Sequence, residues 1–292
     1  MIAMAGMSMM LDEAVAAAPA EIARVLSVPP SPAFWAAVLL YGAAATGFLI
    51  SFLAGKPAAG RAARALFLLA FVCHGVDIGW RGVLRVHPGA SVREALGFLA
   101  WVAAGGYLAT TVRYRADLGG IVAAPLTVAV LAAARLSPPG QAQAGLTSLG
   151  RVHIVMAVVG VALFAVATVI AIVYVLEDRS LKGKKFDALT FKRGGAPLDG
   201  LDALSHRLVL AGFPIFTVAV VLGMVWVSQR GSTMERPEYP FALVSWGAFG
   251  AMLVTRVLYG WRGRRSAWLT LIGFAAAVTV LVIYFLRRSF GG

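Results

Sequence analysis

One cysteine, Cys73, stands in the whole sequence. With no second thiol there is no intrachain disulfide, no CxxC redox pair and no CxxCH haem-attachment motif, so the chain is not itself a c-type cytochrome. Set beside His74 in an apolar run, Cys73 reads either as a small buried hydrophobe or as a reactive thiol, and the first is the plainer role. Charge is scarce as well: Asp, Glu, Lys and Arg make up 13% of the residues, and only 13 of them are acidic. A phosphate-cradling glycine loop, an HExxH zinc helix and a GxSxG nucleophile turn are all missing, which removes the commonest motif-borne hydrolases. There is no tandem repeat and no low-complexity domain.

Apolar residues fill the space those absences leave. Hydrophobic residues are 60% of the chain and the mean hydropathy is +0.83. A soluble domain has too little polar surface to cover such a composition, so the chain reads as an integral membrane protein. Apolar runs of about 18 or more residues are long enough to cross a bilayer as helices. Such runs lie near 33–54, 62–83, 95–112, 118–135, 150–176, 204–227, 240–259 and 266–287. Because they are continuous rather than alternating, a β-barrel is excluded. The fold class is therefore an all-α, polytopic membrane helix bundle of about eight transmembrane helices, with the transmembrane domain at 31–292 and an N-terminal surface segment at 1–30.

The net charge of +13 could suggest nucleic acid, but its placement does not. Of 26 Lys and Arg residues, fifteen fall in the first, third, fifth and seventh connections and ten in the termini and the other connections. That bias puts the odd connections in the cytoplasm and both termini outside, by the positive-inside rule. The basic pI then reflects orientation and contact with anionic membrane lipid, and no nucleic-acid partner is expected. The fifth connection, EDRSLKGKKFDALTFKRGG, is the most basic stretch and reads as topology and lipid contact before it reads as a partner site. The N-terminal stretch has no basic start before its apolar part, so it is not expected to be a cleaved signal peptide. It reads as a surface helix ending at Pro29, Pro30 and Pro32. The expected localisation is a bacterial-type inner (plasma) membrane, with the chain crossing it several times.

Chemistry in this background rests on four histidines. His74 falls in the outer half of the second span and His153 at the outer end of the fifth, at similar depth. His87 sits in an outer loop, and His206 opens the sixth span beside the acidic lead-in LDGLDA. His74, Asp77 and Arg81 are spaced i, i+3, i+7 and share one helix face. Ionisable groups at that depth cost several kcal/mol, roughly, unless they face protein, a cavity or a partner. Asp77 can pair with Arg81, or it can accept the imidazole proton of His74, as a metal-ligating histidine requires of its surroundings. On the fifth span His153, Ala157, Gly160, Phe164 and Ala167 share a face whose small residues leave room for a flat macrocycle or for a close-packed helix. Pro214 falls inside the sixth span, where it removes a backbone hydrogen bond and is expected to kink the helix. The residues alone leave two readings of each histidine, a ligand or a side chain bonded to a neighbouring helix.

The stretches RVHIVMAVVGVALFAVATVIAIVYVLEDRSLK, LDGLDALSHRLVLAGFPIFTVAVVLGMVW and ALVSWGAFGAMLVTRVLYGWRGRRSAWLTLIGF resemble the C-terminal half of the cytochrome c assembly protein family. Its members include the haem-delivering CcsA type and the HemX type associated with tetrapyrrole biosynthesis. The resemblance is carried by the helix led by His153, by Gly212–Phe213–Pro214 and by a GWxGxRxA signature at Gly260–Ala267. More loosely, it extends to the second span and His74. It implies haem handling in c-type cytochrome biogenesis or control of haem supply, with haem b as a transient cofactor and a membrane component of the cytochrome c assembly machinery as partner. Where CcsA-type members carry a tryptophan-rich WGxxWxWDPKE segment, this chain has VSQRGSTMERPEYPFALVSW, and Val254 stands where the family has a histidine. The likeness is therefore HemX-like rather than to CcsA proper, and no independent catalytic activity is expected. Within it, His74 and His153 are expected to face each other around one haem iron, with Asp77 orienting His74 and Arg81 meeting a propionate. The alternative is a non-catalytic membrane subunit of a larger respiratory or assembly complex that keeps the fold and uses its histidines structurally.

Overall fold

The computed structural model describes residues 29–84, 86–113, 117–136, 148–182, 197–229 and 238–290. Eight α-helices occupy them: α1 Pro32–Ala54, α2 Pro57–Val83, α3 Val92–Arg113, α4 Asp117–Leu136, α5 Ser148–Lys182, α6 Leu198–Gln229, α7 Glu238–Tyr259 and α8 Arg264–Phe290. Seven of these are long and apolar enough to cross a membrane. The other is α3, whose Arg93, Glu94, Thr110 and Thr111 dilute its apolar character. The polytopic helical bundle expected from the apolar runs is thus present, while the N-terminal 1–28 and the centre of the basic fifth connection lie outside the described residues.

Helix boundaries follow local chemistry. Ser31 caps α1 by accepting the Phe34 amide at 3.2 Å, with Pro32 in the first turn where its missing N–H costs nothing. Gly55, at φ 63°, ends α1 in the left-handed conformation that glycine takes without a Cβ penalty. Ser91 accepts the Glu94 amide at 3.3 Å and caps α3. Helix α6 runs unbroken from Leu198 to Gln229 with Pro214 inside it, and α4 likewise contains Pro125.

Two aromatic cores organise the bundle. In the first, Tyr41 and Phe48 of α1, Phe67 of α2 and Tyr107 of α3 meet edge to face, with Leu131 of α4 packed among them. In the second, Phe164 of α5 stacks on Phe249 of α7 at 3.7 Å between centroids and meets Phe216 of α6 edge-on. Helix α3 serves both cores, giving Ala100, Ala104 and Tyr107 to one and Leu99 to the other. Between its polar ends helix α5 is apolar on every side and is the central element: 67% of its most apolar stretch is buried, against 17–39% in the other spanning helices. Its tightest contact is with α6, where a Cβ on Gly160 would lie 3.0 Å from Phe216 Cβ. Such close approach is how small residues let membrane helices pack.

Candidate functional site

The α2 face predicted from spacing is buried. His74 is 1% exposed, Asp77 4% and Arg81 9%. They open onto a cavity of about 40 Å³ that is also lined by Phe34, Arg93, Glu94, Leu131 and Arg135. Each oxygen of the Asp77 carboxylate has a partner: Ser31 Oγ donates to Oδ1 at 2.5 Å, and Arg81 Nε donates to Oδ2 at 3.3 Å. Arg81 then donates from Nη1 to Glu94 Oε1 at 2.8 Å. A polar chain Ser31–Asp77–Arg81–Glu94 thereby joins the start of α1, the end of α2 and the start of α3.

This geometry corrects one expectation. Asp77 does not hold the ring of His74: its oxygens meet Ser31 and Arg81 instead. Among the described residues no hydrogen bond joins Asp77 to His74, and His74 Nδ1 is buried without a partner. Tyr41 is beside it, ring centroids 6.1 Å apart and edge-on, and its hydroxyl also lacks a partner.

His153 occupies a different contact. Its Nδ1 lies 2.7 Å from the carbonyl oxygen of Ala219 on α6. A carbonyl can only accept, so Nδ1 carries the proton and Nε2 of the neutral ring keeps its lone pair. The ring rests in a seat made by Gly223, where a Cβ would lie 2.8 Å from Cε1, and Trp226 flanks it at 5.9 Å. Nδ1–H held by a carbonyl with Nε2 left as a donor atom is the arrangement of a ligating histidine.

The structure therefore brings His74, Asp77 and Arg81 into one pocket and leaves His153 outside it, on the α5–α6 contact. The two lie on the same end of the bundle: Gly89, in the α2–α3 turn, sits against Ile154, one residue from His153. His153 does not line the cavity at His74. His87 in that turn accepts the Gly89 amide on Nδ1 at 2.9 Å, and burial followed by the charge of Arg151 lowers its pKa. His206 is on α6 at the opposite end, with Nδ1 buried and unpartnered.

Haem fits these two places differently. The cavity at His74 has room for about one water molecule. It does not accept a tetrapyrrole ring while Phe34, Leu131 and α3 stand where they do. At His153 the donor chemistry fits an axial ligand, because Ala219 fixes the tautomer and Gly223 fixes the ring. Sequence reasoning missed Ser31, Glu94, Ala219 and Gly223. Ser31 had a local signal, a serine before Pro32 at a helix start; the Ala219 carbonyl had none.

Comparisons with known proteins agree with the fold. Residues 90–292 match the family described as Cytochrome C assembly protein. The Cytochrome c biogenesis protein CcsA of Chlamydomonas reinhardtii is 27% identical over 213 residues, covering 68% of this chain and 56% of that protein. The protein of the same name from Synechococcus elongatus is 25% identical over 278 residues, covering 78% and 85%. That of Microcystis aeruginosa is 25% identical over 248 residues, covering 68% and 75%. Among solved structures, Cytochrome c Heme Lyase CcmF superposes with a TM-score of 0.63 at 16% identity, covering 88% of this chain and 49% of that one, a likeness of fold. The chain thus spans little more than half of the Chlamydomonas relative and about half of the solved structure. With a matching eight-helix bundle and a family match over residues 90–292, this chain belongs to the cytochrome c assembly protein family.

Proposed function

We propose that this membrane protein handles haem in c-type cytochrome biogenesis or in the control of haem supply, in the manner of the HemX type, from a bacterial-type plasma membrane. The observation that carries the reading is His153: Nδ1–H donated to Ala219 O, ring seated on Gly223, Nε2 available. His153 would hold haem b as an axial ligand, transiently. When bound, the haem supplies an iron that takes an imidazole nitrogen. The chain's own part is to orient that nitrogen and to keep it unprotonated. His74, Asp77 and Arg81 form a separate polar pocket at the same end of the bundle. There Arg81, with Arg93 and Arg135, offers cationic partners for carboxylates once α3 and α4 move away from α2.

The test is haem titration into the detergent-purified protein, followed by visible absorption of the reduced form. The parent should take up haem with a ligand-shifted spectrum, His153→Ala should lose it, and His74→Ala should retain most of it. Equal haem content in the parent and in His153→Ala would overturn the assignment.

One observation favours a second reading. The small cavity at His74 suits a chain that keeps the family fold as a non-catalytic subunit of a respiratory or assembly complex, with structural histidines. No haem uptake by the parent, together with stable co-purification of such a complex, would select it.

A further inference from the structure

The α7–α8 turn carries a charge imbalance that the haem reading does not use. Residues 260–263 join Tyr259 to Arg264 through two left-handed glycines, Gly260 at φ 64° and Gly263 at φ 65°. One carboxylate serves this turn from inside. Asp202 of α6 accepts the Gly263 amide on Oδ1 at 2.9 Å and pairs through Oδ2 with Arg256 Nη2 at 2.8 Å. Each of its oxygens thus has a partner inside the fold. Arg262, Arg264 and Arg265 remain on the outside, exposed, and make no ion pair with another described residue. The guanidinium of Arg265 lies 5.4 Å from the ring of Trp261, which holds it over the turn rather than free in solvent.

The surroundings place these arginines at a bilayer surface. Val257, Leu258 and Tyr259 are 82%, 67% and 71% exposed, and Trp268 is 44% exposed one turn into α8. An apolar band that ends in Tyr and Trp beside unpaired arginines is the pattern of a helix end at the headgroup level. Of the groups able to meet these guanidiniums there, the phosphate of a lipid is the one the bilayer supplies at fixed depth, and only a net negative headgroup neutralises any of their charge, since a zwitterionic one brings its own cation.

We propose that the α7–α8 turn is a binding site for the phosphate headgroup of an anionic phospholipid, with Arg262, Arg264 and Arg265 as its cations, Trp261 orienting Arg265, and Asp202 and Arg256 fixing the turn from within. Asp202 and Arg256 are positioning residues here, since they touch the turn and not the headgroup.

Native mass spectrometry of the full chain in a neutral detergent, with equimolar phosphatidylglycerol and phosphatidylcholine, tests this. Each arginine near an anionic surface contributes about fivefold in binding, so the parent should prefer phosphatidylglycerol by at least about tenfold. The triple variant R262Q/R264Q/R265Q should bring the preference close to one. Should that variant be lost to misfolding, the single exposed change Arg262→Gln should reduce the preference about fivefold. Lys182→Gln, at the same end of the bundle but paired with Asp178, should leave it unchanged. An equal loss in Lys182→Gln, or no preference in the parent, overturns the site in favour of diffuse surface charge. Inorganic phosphate at millimolar concentration should fail to displace the lipid; displacement would overturn the lipid as source and make the ligand a soluble phosphate.

Discussion

Arg81→Gln removes the cation that two nearly buried carboxylates share. The side chains of Arg81, Asp77 and Glu94 are 11%, 6% and 10% exposed, and the contacts are 3.3 Å to Asp77 and 2.8 Å to Glu94. Breaking a buried pair by deleting one partner costs about 3–5 kcal/mol, because the surviving charge is left without compensation. Here two are left, while Arg93 and Arg135 on the same cavity recover part of the loss. A net destabilisation of about 3–5 kcal/mol is expected. Glu94→Gln alone should cost less, about 1–2 kcal/mol, since Arg81 keeps Asp77 and the new amide oxygen still accepts. The decisive variant is the double one. With Arg81 gone, neutralising Glu94 removes a stranded charge, so R81Q/E94Q should be less destabilised than the sum of the singles by about 1–3 kcal/mol. Unfolding in mixed detergent micelles, followed by tryptophan fluorescence, measures all four proteins. Strict additivity, or a loss below about 1 kcal/mol for Arg81→Gln, would show that water solvates the three charges separately and would refute the network.

Four further outcomes follow from the geometry. Gly263→Ala should destabilise by about 1–2 kcal/mol, because φ 65° is disfavoured for an L-residue and the new Cβ would lie 2.5 Å from the Tyr174 hydroxyl; an unchanged melting temperature would contradict this. His87 accepts the Gly89 amide only while Nδ1 is unprotonated, and its folded pKa is lowered by burial and by Arg151. The unfolded chain therefore protonates first, near pH 6.5, so this contribution is complete above that pH and is lost as the pH falls toward the lowered folded value. The bond itself persists until the folded His87 protonates, so the protection of the Gly89 amide, corrected for the pH dependence of intrinsic exchange, should drop as the pH falls through the lowered folded value; a flat protection profile would exclude the bond. Ser31→Ala should cost about 2–3 kcal/mol, combining a lost helix cap with a lost hydrogen bond to a carboxylate, and should loosen α1 specifically in exchange measurements. Reporter fusions after residue 190 should read cytoplasmic and fusions after 292 external; the reverse result would invert the orientation inferred from basic residues.

The helices were legible because a membrane-spanning helix needs a long continuous apolar run, whereas a closed barrel, the other fold that satisfies backbone polar groups in a bilayer, would show alternation. The face shared by His74, Asp77 and Arg81 was legible for a related reason: the spacing i, i+3, i+7 is a local property of one helix. The partners of that face were not. Whether Asp77 turns to His74 or to Arg81 depends on Ser31 and Glu94, which arrive from two other helices and carry no mark of their destination. His153 shows the same limit. Its small-residue face left a macrocycle and a close-packed helix equally open, and the carbonyl of Ala219 is invisible in any sequence, since every residue has one. The expectation that His74 and His153 share a space rested on equal depth, and depth says nothing about which helix stands between two others. In the fold His74 lies beside Tyr41 of α1, while His153 lies against Ala219 of α6.

Membrane insertion places a demand on the polar chain at the α1–α3 end that the finished bundle conceals. Spans enter the bilayer one after another, so α2 must partition with Asp77 and Arg81 before α3 has delivered Glu94. The four-residue spacing between that acid and that base lets α2 carry its own counter-charge, with Arg81 already bonded to Asp77 along the helix. Ser31 is by then in place on α1 and can occupy the other oxygen of Asp77 as the first hairpin closes. Glu94 is thus the last member to arrive, and its bond to Arg81 marks the docking of the third helix onto a pair that is already neutral.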